Sequence, residues 1–352
     1  MVPAACTEAA MALSRRAFLW LAASGLALGG LGTGALRAFA KPDALPREPM
    51  PIEVRATPIP TFRPNDAQTR FGKLEFRGGI ALTSDFPGFG GISGLVLEPT
   101  GNGFLGLTDA GLFIRGRLLL QGDRPVGMAD VMVAAMLDEK GRVQASRGRG
   151  DAEALAVAPD AVYVTFEDIN ELWSYPGPDP LGKTGVPVPV PPGVKTLRRN
   201  LGLEALVYVP GPPMIGALIA IGEQGATAAD DLPGFIIGGP IPGDFTIAKS
   251  GVFSATDAAL APKGELFLLE RSFSPLAGVA MQLRRFRLAD VKPGARLAGE
   301  ILLTADMGFE IDNMEGLSAT LNGAGETIFT IVSDDNFSPL QRTILLRFAL
   351  VD

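Results

Sequence analysis

Five oxygen-bearing side chains recur at a nearly fixed interval along this chain. Ser93, Glu153, Glu204, Asp257 and Glu315 lie 51 to 60 residues apart, each near the start of a short apolar run. Turn-forming residues follow each run: Gly101-Asn102, Pro159-Asp160, Pro212-Pro213, Lys263-Gly264 and Asn322 to Gly325. A second apolar run then ends on an acid, which is Asp109, Glu167, Glu223, Glu270 or Asp334. Carboxylates that converge raise one another's pKa by like-charge repulsion unless a cation neutralises them. The chain has no histidine and one cysteine, Cys6. Imidazole bases, Ser-His-Asp triads and His- or Cys-built zinc sites are therefore excluded. Oxygen donors alone select a hard ion, and Ca2+, which accepts about six to eight oxygens in loose geometry, suits a wide carboxylate set better than Mg2+. The candidate ligands are Glu153, Glu167, Glu204, Asp257, Glu315, Asp334, Asp335 and Asn336, with Asp151 and Asp168 flanking the second pair. The competing reading is structural: the same acids cap strand ends, accept backbone N–H bonds and fix register.

Cations stand close to these acids in the sequence. Arg271 follows Glu270 directly, so its guanidinium can reach the same region and grip a phosphate with two parallel hydrogen bonds. Lys195, Arg198 and Arg199 precede Glu204 in "GVKTLRRNLGLEAL" and are candidates for the same role. An ordinary arginine–carboxylate bridge is the alternative for each. The run "RRFR" (Arg284 to Arg287) alternates basic and apolar residues and reads as a solvated outer strand. Trp173, Tyr175 and the proline-rich stretch after them read as an insert packed on the outside.

The elements that must position these residues are hairpins. In an antiparallel pair, opposite residues have position numbers of constant sum, so a turn midway between opener and closer places the two about 5 Å apart across the strands. All five pairs satisfy this. Two further strand-like runs follow each hairpin, except in the last unit, which has only "RTILLRFALV". The missing strand is available near the N-terminus, in "KLEFRGGIALT" (Lys73 to Thr83). Repeats of about fifty residues with four strands each predict an all-β β-propeller. Five four-stranded blades are favoured and six are the alternative, with the N-terminal strand closing the last blade. A two-sheet sandwich explains alternating strands but not the period. In a propeller the first strand of each blade lines a central channel, so the acids converge there.

The chain has 352 residues, 44 glycines and 29 prolines, with a formal charge of -7. This composition favours turn-rich β architecture and disfavours a nucleic-acid partner, which needs clustered Lys and Arg. Residues 1–40 read as a signal peptide of twin-arginine type: Ser14-Arg15-Arg16-Ala17-Phe18-Leu19, a glycine-laden apolar run and "AFA" ending at Ala40. Met11 is an alternative start. The expectation is a periplasmic or secreted protein with no membrane attachment after signal cleavage, acting as a monomer. Residues 41–65 read as a proline-rich lead-in and 66–352 as the propeller domain.

The segments "FGGISGL", "GDAEAL", "NLGLEAL", "LLERSFS", "NMEGLS" and "VSDDNFSPLQRTILLRF", spread over Phe71 to Asp352, together resemble the phytase-like (esterase-like activity of phytase) family of exported bacterial proteins. Ser93 in the first opener and Asp257-Ala258-Ala259-Leu260 in the fourth depart from the Glu-containing copies. The resemblance implies hydrolysis of a phosphate ester or related ester at the channel mouth, as in calcium-dependent propeller phytases. It implies a small-molecule ester as partner, Ca2+ held by Glu153, Glu204, Glu315 and Asp334, Arg271 orienting the substrate, and Glu223 or Glu270 accepting a proton from water. The alternatives are another ester or lactone hydrolase on the same fold, a non-enzymatic binding propeller with a structural ion, and a cell-surface scaffold.

Overall fold

The computed structural model describes residues 45–351, apart from 100, 101 and 168. The signal segment expected at 1–40 and the flanking acid Asp168 lie outside the described residues. Five sheets, antiparallel except for a short edge strand Arg296–Leu297 that runs parallel to Gly243–Ile247, succeed one another along the chain. Blade one is Ile92–Leu97, Gly103–Thr108, Leu112–Gln121 and Arg124–Ala135, from the centre outwards. Blade two is Ala152–Val157, Ala161–Phe166, Glu171–Pro176 and Val186–Val188. Blade three is Leu203–Tyr208, Leu218–Gly222, Leu232–Ile237 and Gly243–Ile247. Blade four is Ser254–Leu260, Glu265–Ser274, Gly278–Arg287 and Glu300–Ala305. Blade five is Asn313–Leu321, Thr327–Asp334, Thr343–Leu350 and, as its outer strand, Leu74–Thr83 from the N-terminal side.

Ile344 pairs with Ala81 and Leu346 with Gly79, so the two ends of the domain are joined in one sheet. This joint closes the ring, and the blade number is five, not six. Each inner strand contacts the next, and the fifth contacts the first. The chain is a β-propeller, and among its described residues no helix is long and apolar enough to cross a membrane.

Closure follows from where the apolar side chains lie. One buried cluster sits between each pair of neighbouring blades. Leu107 and Phe113 of blade one meet Leu155, Val164 and Phe166 of blade two. Leu172 of blade two meets Leu206, Leu218 and Phe235 of blade three. Ile219, Ile221 and Ile236 of blade three meet Leu266, Leu268 and Phe286 of blade four. Phe267 of blade four meets Phe329 of blade five edge to face at 4.7 Å. Ile80 and Val332 of blade five return to Leu95 and Phe104 of blade one. A strand with side chains on both faces buried reads as a nearly continuous apolar run, which is why the inner hairpins show so little polar alternation.

Three expectations need correction. Trp173 and Tyr175 are not an outer insert: they sit on the third strand of blade two and fill the interface with blade one, Tyr175 fully buried. The proline-rich stretch beyond them does lie at the edge, where Gly185 donates to the Leu137 carbonyl. The 41–65 lead-in is built into the sheets, with Met50–Pro51 pairing onto the outer strand of blade one and Arg55–Ile59 onto that of blade five. Of the "RRFR" run, Arg287 is exposed, but Arg284 is buried.

Candidate functional site at the inner hairpin ends

The inner hairpins share an irregularity that decides which side chains face the axis. In blade one Ile92 pairs with Thr108, and the next pair is Gly94 with Leu107. Blade three pairs Leu203 with Gly222 and then Ala205 with Ile221. Blade four pairs Ala255 with Glu270 and then Asp257 with Leu269, and blade five pairs Met314 with Ser333 and then Gly316 with Val332. Blade two slips across Glu153 and Ala154, between the Ala152–Phe166 and Leu155–Val164 pairs. A β-bulge leaves one residue unpaired and re-aims its side chain. The bulged residues are Ser93, Glu204, Thr256 and Glu315, with Glu153 in the slipped segment of blade two. One step outwards, the paired positions are Gly91 with Asp109, Asp151 with Glu167, Gly202 with Glu223, Ser254 with Arg271, and Asn313 with Asp334.

Two sequence assignments therefore move by one residue. In blade four the axial positions belong to Thr256 and Arg271, not to Asp257 and Glu270. Asp257 is buried with both carboxylate oxygens occupied: Oδ1 accepts from the Ala258 N–H at 2.8 Å and Oδ2 from the Leu317 N–H of blade five at 2.7 Å. It ties two inner strands together, which is the structural role weighed against metal binding. Glu270 faces the other way and accepts two 2.6 Å hydrogen bonds from Arg284 and one of 2.9 Å from Gln282. Glu270 is fully buried and Arg284 is 3% exposed. A carboxylate so engaged is a poor candidate for the proton acceptor.

The axial acids divide into two groups. On blades two and three, one oxygen each from Asp151, Glu153 and Glu167 lie within 4.8 Å of one another, and so do oxygens of Glu167, Glu204 and Glu223. Glu167 belongs to both sets, and its Oε1 also accepts from the Gly202 N–H at 3.4 Å. Burial pushes the Glu153 carboxyl well above the ordinary glutamate range, reinforced in turn by Glu204, Asp151, Glu167 and Glu315. Five carboxylates from two adjacent blades, four of them buried and Asp151 half-buried, offer only oxygen and fit a hard divalent cation.

On blades four and five one of the carboxylates, Glu315, has a counter-ion within the protein. The Arg271 Nη1 lies 2.9 Å from Glu315 Oε1 and also donates to the Asn313 side-chain carbonyl. The Asn313 Nδ2 donates to Glu315 Oε1 at 2.9 Å and to Asp334 Oδ2 at 3.4 Å. Burial raises the Asp334 carboxyl, with Glu315 and then Asp109 adding to the effect. Asn313 opens the "NMEGLS" segment, yet nothing in its spacing marks it as the residue that links three members of this group.

The remaining predicted ligands are engaged locally. Asp335 Oδ1 accepts from the Gly91 and Phe337 N–H groups, each at 3.0 Å, and Oδ2 accepts from the Thr343 hydroxyl at 3.0 Å. The Asn336 backbone donates to Asp334 Oδ1 at 2.6 Å from a left-handed conformation, φ 47°. These contacts also explain "FGGISGL". A Cβ on Gly90 would stand 2.5 Å from Asp335 Oδ1, and one on Gly91 would stand 2.1 Å from Asp109 Oδ1. Lys195 donates its ammonium to the Asn170 carbonyl at 3.1 Å, while Arg198 and Arg199 are exposed on the turn leading into blade three.

A five-bladed propeller with bulged inner hairpins and a divided ring of buried carboxylates is the class that fold and site define. The family model described as phytase-like, esterase-like activity of phytase, matches residues 87–337. The chain belongs to that family. A search of curated proteins finds no match. Among solved structures, the glutaminyl cyclase of Myxococcus xanthus is 13% identical, over 75% of this chain and 92% of that one, with a TM-score of 0.39. A nidogen/laminin complex is 11% identical over 74% and 86%, with a TM-score of 0.39. The Cps50 (Swd1) β-propeller domain of Myceliophteria thermophila is 11% identical over 85% and 100%, with a TM-score of 0.36. At these scores the likenesses carry no argument about activity.

Proposed function

We propose that this chain is an exported, calcium-dependent hydrolase of small-molecule esters, with phosphate monoesters as the leading substrate class. The observation that carries the reading is the five-carboxylate set of Asp151, Glu153, Glu167, Glu204 and Glu223 on blades two and three. These residues would hold the ion. When bound, calcium supplies Lewis-acid polarisation of an ester oxygen. Arg271 supplies Glu315 with a counter-ion, which distinguishes it from the five carboxylates of blades two and three. Of the two acids considered as proton acceptor, Glu270 is excluded because it is tied to Arg284, and Glu223 is counted with the carboxylates that would hold the ion. Arg198 and Arg199 raise the local concentration of anionic substrate from the rim, and Lys195 stands beside them. Export rests on the twin-arginine pattern at Arg15 and Arg16.

One observation favours a second reading. Glu204 is 1% exposed and Glu153 is 5% exposed, a depth that suits a structural ion beneath a non-enzymatic ligand site. Purified mature protein, assayed with calcium and with a chelator against phosphate monoesters and simple carboxyl esters, separates the two. Turnover that disappears with chelator supports the hydrolase. A calcium-raised melting temperature with no turnover on any ester refutes it in favour of the structural ion.

A further inference from the structure

The inner hairpin of blade four reaches further than its counterparts. In blades one, two, three and five the second strand ends at the closing position or one residue before it, at Thr108, Phe166, Gly222 and Asp334. In blade four it runs from Glu265 to Ser274, three residues past Arg271. At about 3.3 Å per residue, the hairpin rises about 10 Å above the ring. Its ladder is regular to the tip, from Arg271 with Met281 through Phe273 with Val279 to Ser274 with Gly278. The Ser274 hydroxyl accepts the Ala277 N–H at 3.0 Å and closes the turn.

The register fixes which way this extension faces. Residues paired across antiparallel strands share a sheet face, as do residues two apart along one strand. Met281, opposite Arg271, is buried between blades four and five, and Val279, opposite Phe273, packs against the same cluster. Phe273 therefore faces blade five on the side of Arg271, about 6.6 Å further from the ring. It is 48% exposed. Met307, also exposed, supports the hairpin from the segment that joins blade four to blade five: a Cβ on Gly278, where φ is 72°, would stand 2.7 Å from its Cγ. That segment is anchored through Asp312, which accepts from the Arg342 N–H at 3.0 Å and from Gln341 Nε2 at 3.3 Å. An aromatic side chain is thus held half in water, on braced backbone, above the contact between Arg271 and Glu315.

We infer that Phe273 and Met307 form an apolar wall of the substrate site and receive the alcohol portion of the ester, so that phosphates of aryl and alkyl alcohols are preferred over those of hydrophilic alcohols. The inference rests on the phosphate-monoester reading of the site. With its phosphoryl group at the ring, such a molecule has its charged end among charged groups and its carbon substituent beside the wall. Packing that substituent on Phe273 removes apolar surface of both from water. A second copy of the chain is a poorer occupant. Two side chains offer a small part of the roughly 800 Å² that each partner buries in a stable interface. An isologous contact at this rim would also bring two acidic mouths together.

The test uses the mature protein with calcium present and two probes whose phosphorus–carbon bond ester hydrolysis cannot break, phenylphosphonate and methylphosphonate. Each is titrated calorimetrically into wild type, Phe273→Ser, Phe273→Leu and Met307→Ser. The wild type is expected to bind phenylphosphonate about tenfold more tightly than methylphosphonate, and Phe273→Ser to reduce that ratio to about twofold. Phe273→Leu keeps most of the ratio, which separates an apolar contact from loss of the hairpin. Melting temperatures close to wild type establish folding. Should Phe273→Ser fail to fold, Met307→Ser carries the test, with the ratio expected to fall about threefold. Equal affinities in the wild type, no binding of either phosphonate, or an undiminished ratio in the folded serine variant overturns the inference. So does a wild-type dimer in sedimentation velocity that Phe273→Ser dissociates, since a second copy then covers the wall. A ratio that depends on Phe273 in a protein that hydrolyses no ester sustains the inference while the hydrolase reading falls. Ester hydrolysis by a protein with equal affinities does the reverse.

Discussion

The Arg271 Nη1 lies 2.9 Å from Glu315 Oε1, and Arg271 occupies the position in blade four where the other four blades carry Asp109, Glu167, Glu223 and Asp334. One arginine in that place interrupts an otherwise acidic set of closing positions and gives Glu315 a counter-ion within the protein. Removing the guanidinium leaves Glu315 buried without its counter-ion, a change that costs about 3–5 kcal/mol for a buried pair. Arg271→Ala is therefore expected to lower the melting temperature strongly. Arg271→Met combined with Glu315→Gln is expected to recover most of the loss. Thermal denaturation of the single and double variants checks this, and a double variant no more stable than Arg271→Ala would show that the pair is not what matters.

Glu167 is common to both carboxylate groupings, whereas Glu315 has its own arginine. Glu167→Gln is expected to weaken calcium binding by about tenfold or more, since removing one charged ligand from a hard-ion site costs at least a charge-assisted contact. Glu315→Gln is expected to change it little. Calorimetric titration of both variants decides, and equal losses would mean that the ion is shared by all blades.

The five-blade ring and the closing strand were legible in the sequence, because inner strands buried on both faces leave long apolar runs and the turns fall midway between the acids. The identity of the axial residues in blade four was not legible, for a definite reason. Asp257 with Glu270 and Thr256 with Arg271 have the same midpoint, so a test for turn position cannot tell one pair from the other. Only the β-bulge, which adds an unpaired residue to the inner strand, decides between them. Arg284 was hidden in a similar way. Its neighbours Arg285 and Arg287 face acids at the surface, but Glu270 draws Arg284 into the interior. Tyr175 followed the proline-rich stretch in its reading because an aromatic beside prolines carries no sign of which sheet face it takes.

The buried pair of Glu270 and Arg284 gives a control for the site. Glu270→Ala leaves Arg284 uncompensated at 3% exposure and is expected to destabilise the protein by about 3–5 kcal/mol. Because Glu270 faces away from the clustered carboxylates, calcium affinity measured below the melting transition is expected to be unchanged. A large loss of calcium affinity in a folded Glu270 variant would restore that residue to the ion site.

The raised carboxyl of Glu153 makes stability depend on pH in a direction opposite to that of paired surface acids. Below the ordinary glutamate value of 4.5 the group is protonated in both folded and unfolded chains, and its contribution to stability is complete. As pH rises, the unfolded chain releases the proton first. The folded state then binds more protons, and stability falls until pH has passed the raised native value. Asp334 behaves in the same sense from its ordinary value of 3.8. Asp231 and Glu300, held low chiefly by hydrogen bonds from Arg296 and Lys73 respectively, act the other way and lose stability in acid. Comparison with Glu153→Gln isolates the ring from them. Without calcium, the melting temperature of the variant relative to wild type is expected to rise between about pH 5 and pH 8. With calcium the order reverses, because the ion compensates the ionised wild-type carboxylate and finds one ligand charge fewer in the variant. Melting curves of both proteins across that range, with and without calcium, check the sign. A difference that stays flat with pH in the metal-free state would mean that Glu153 ionises at its ordinary value despite its neighbours.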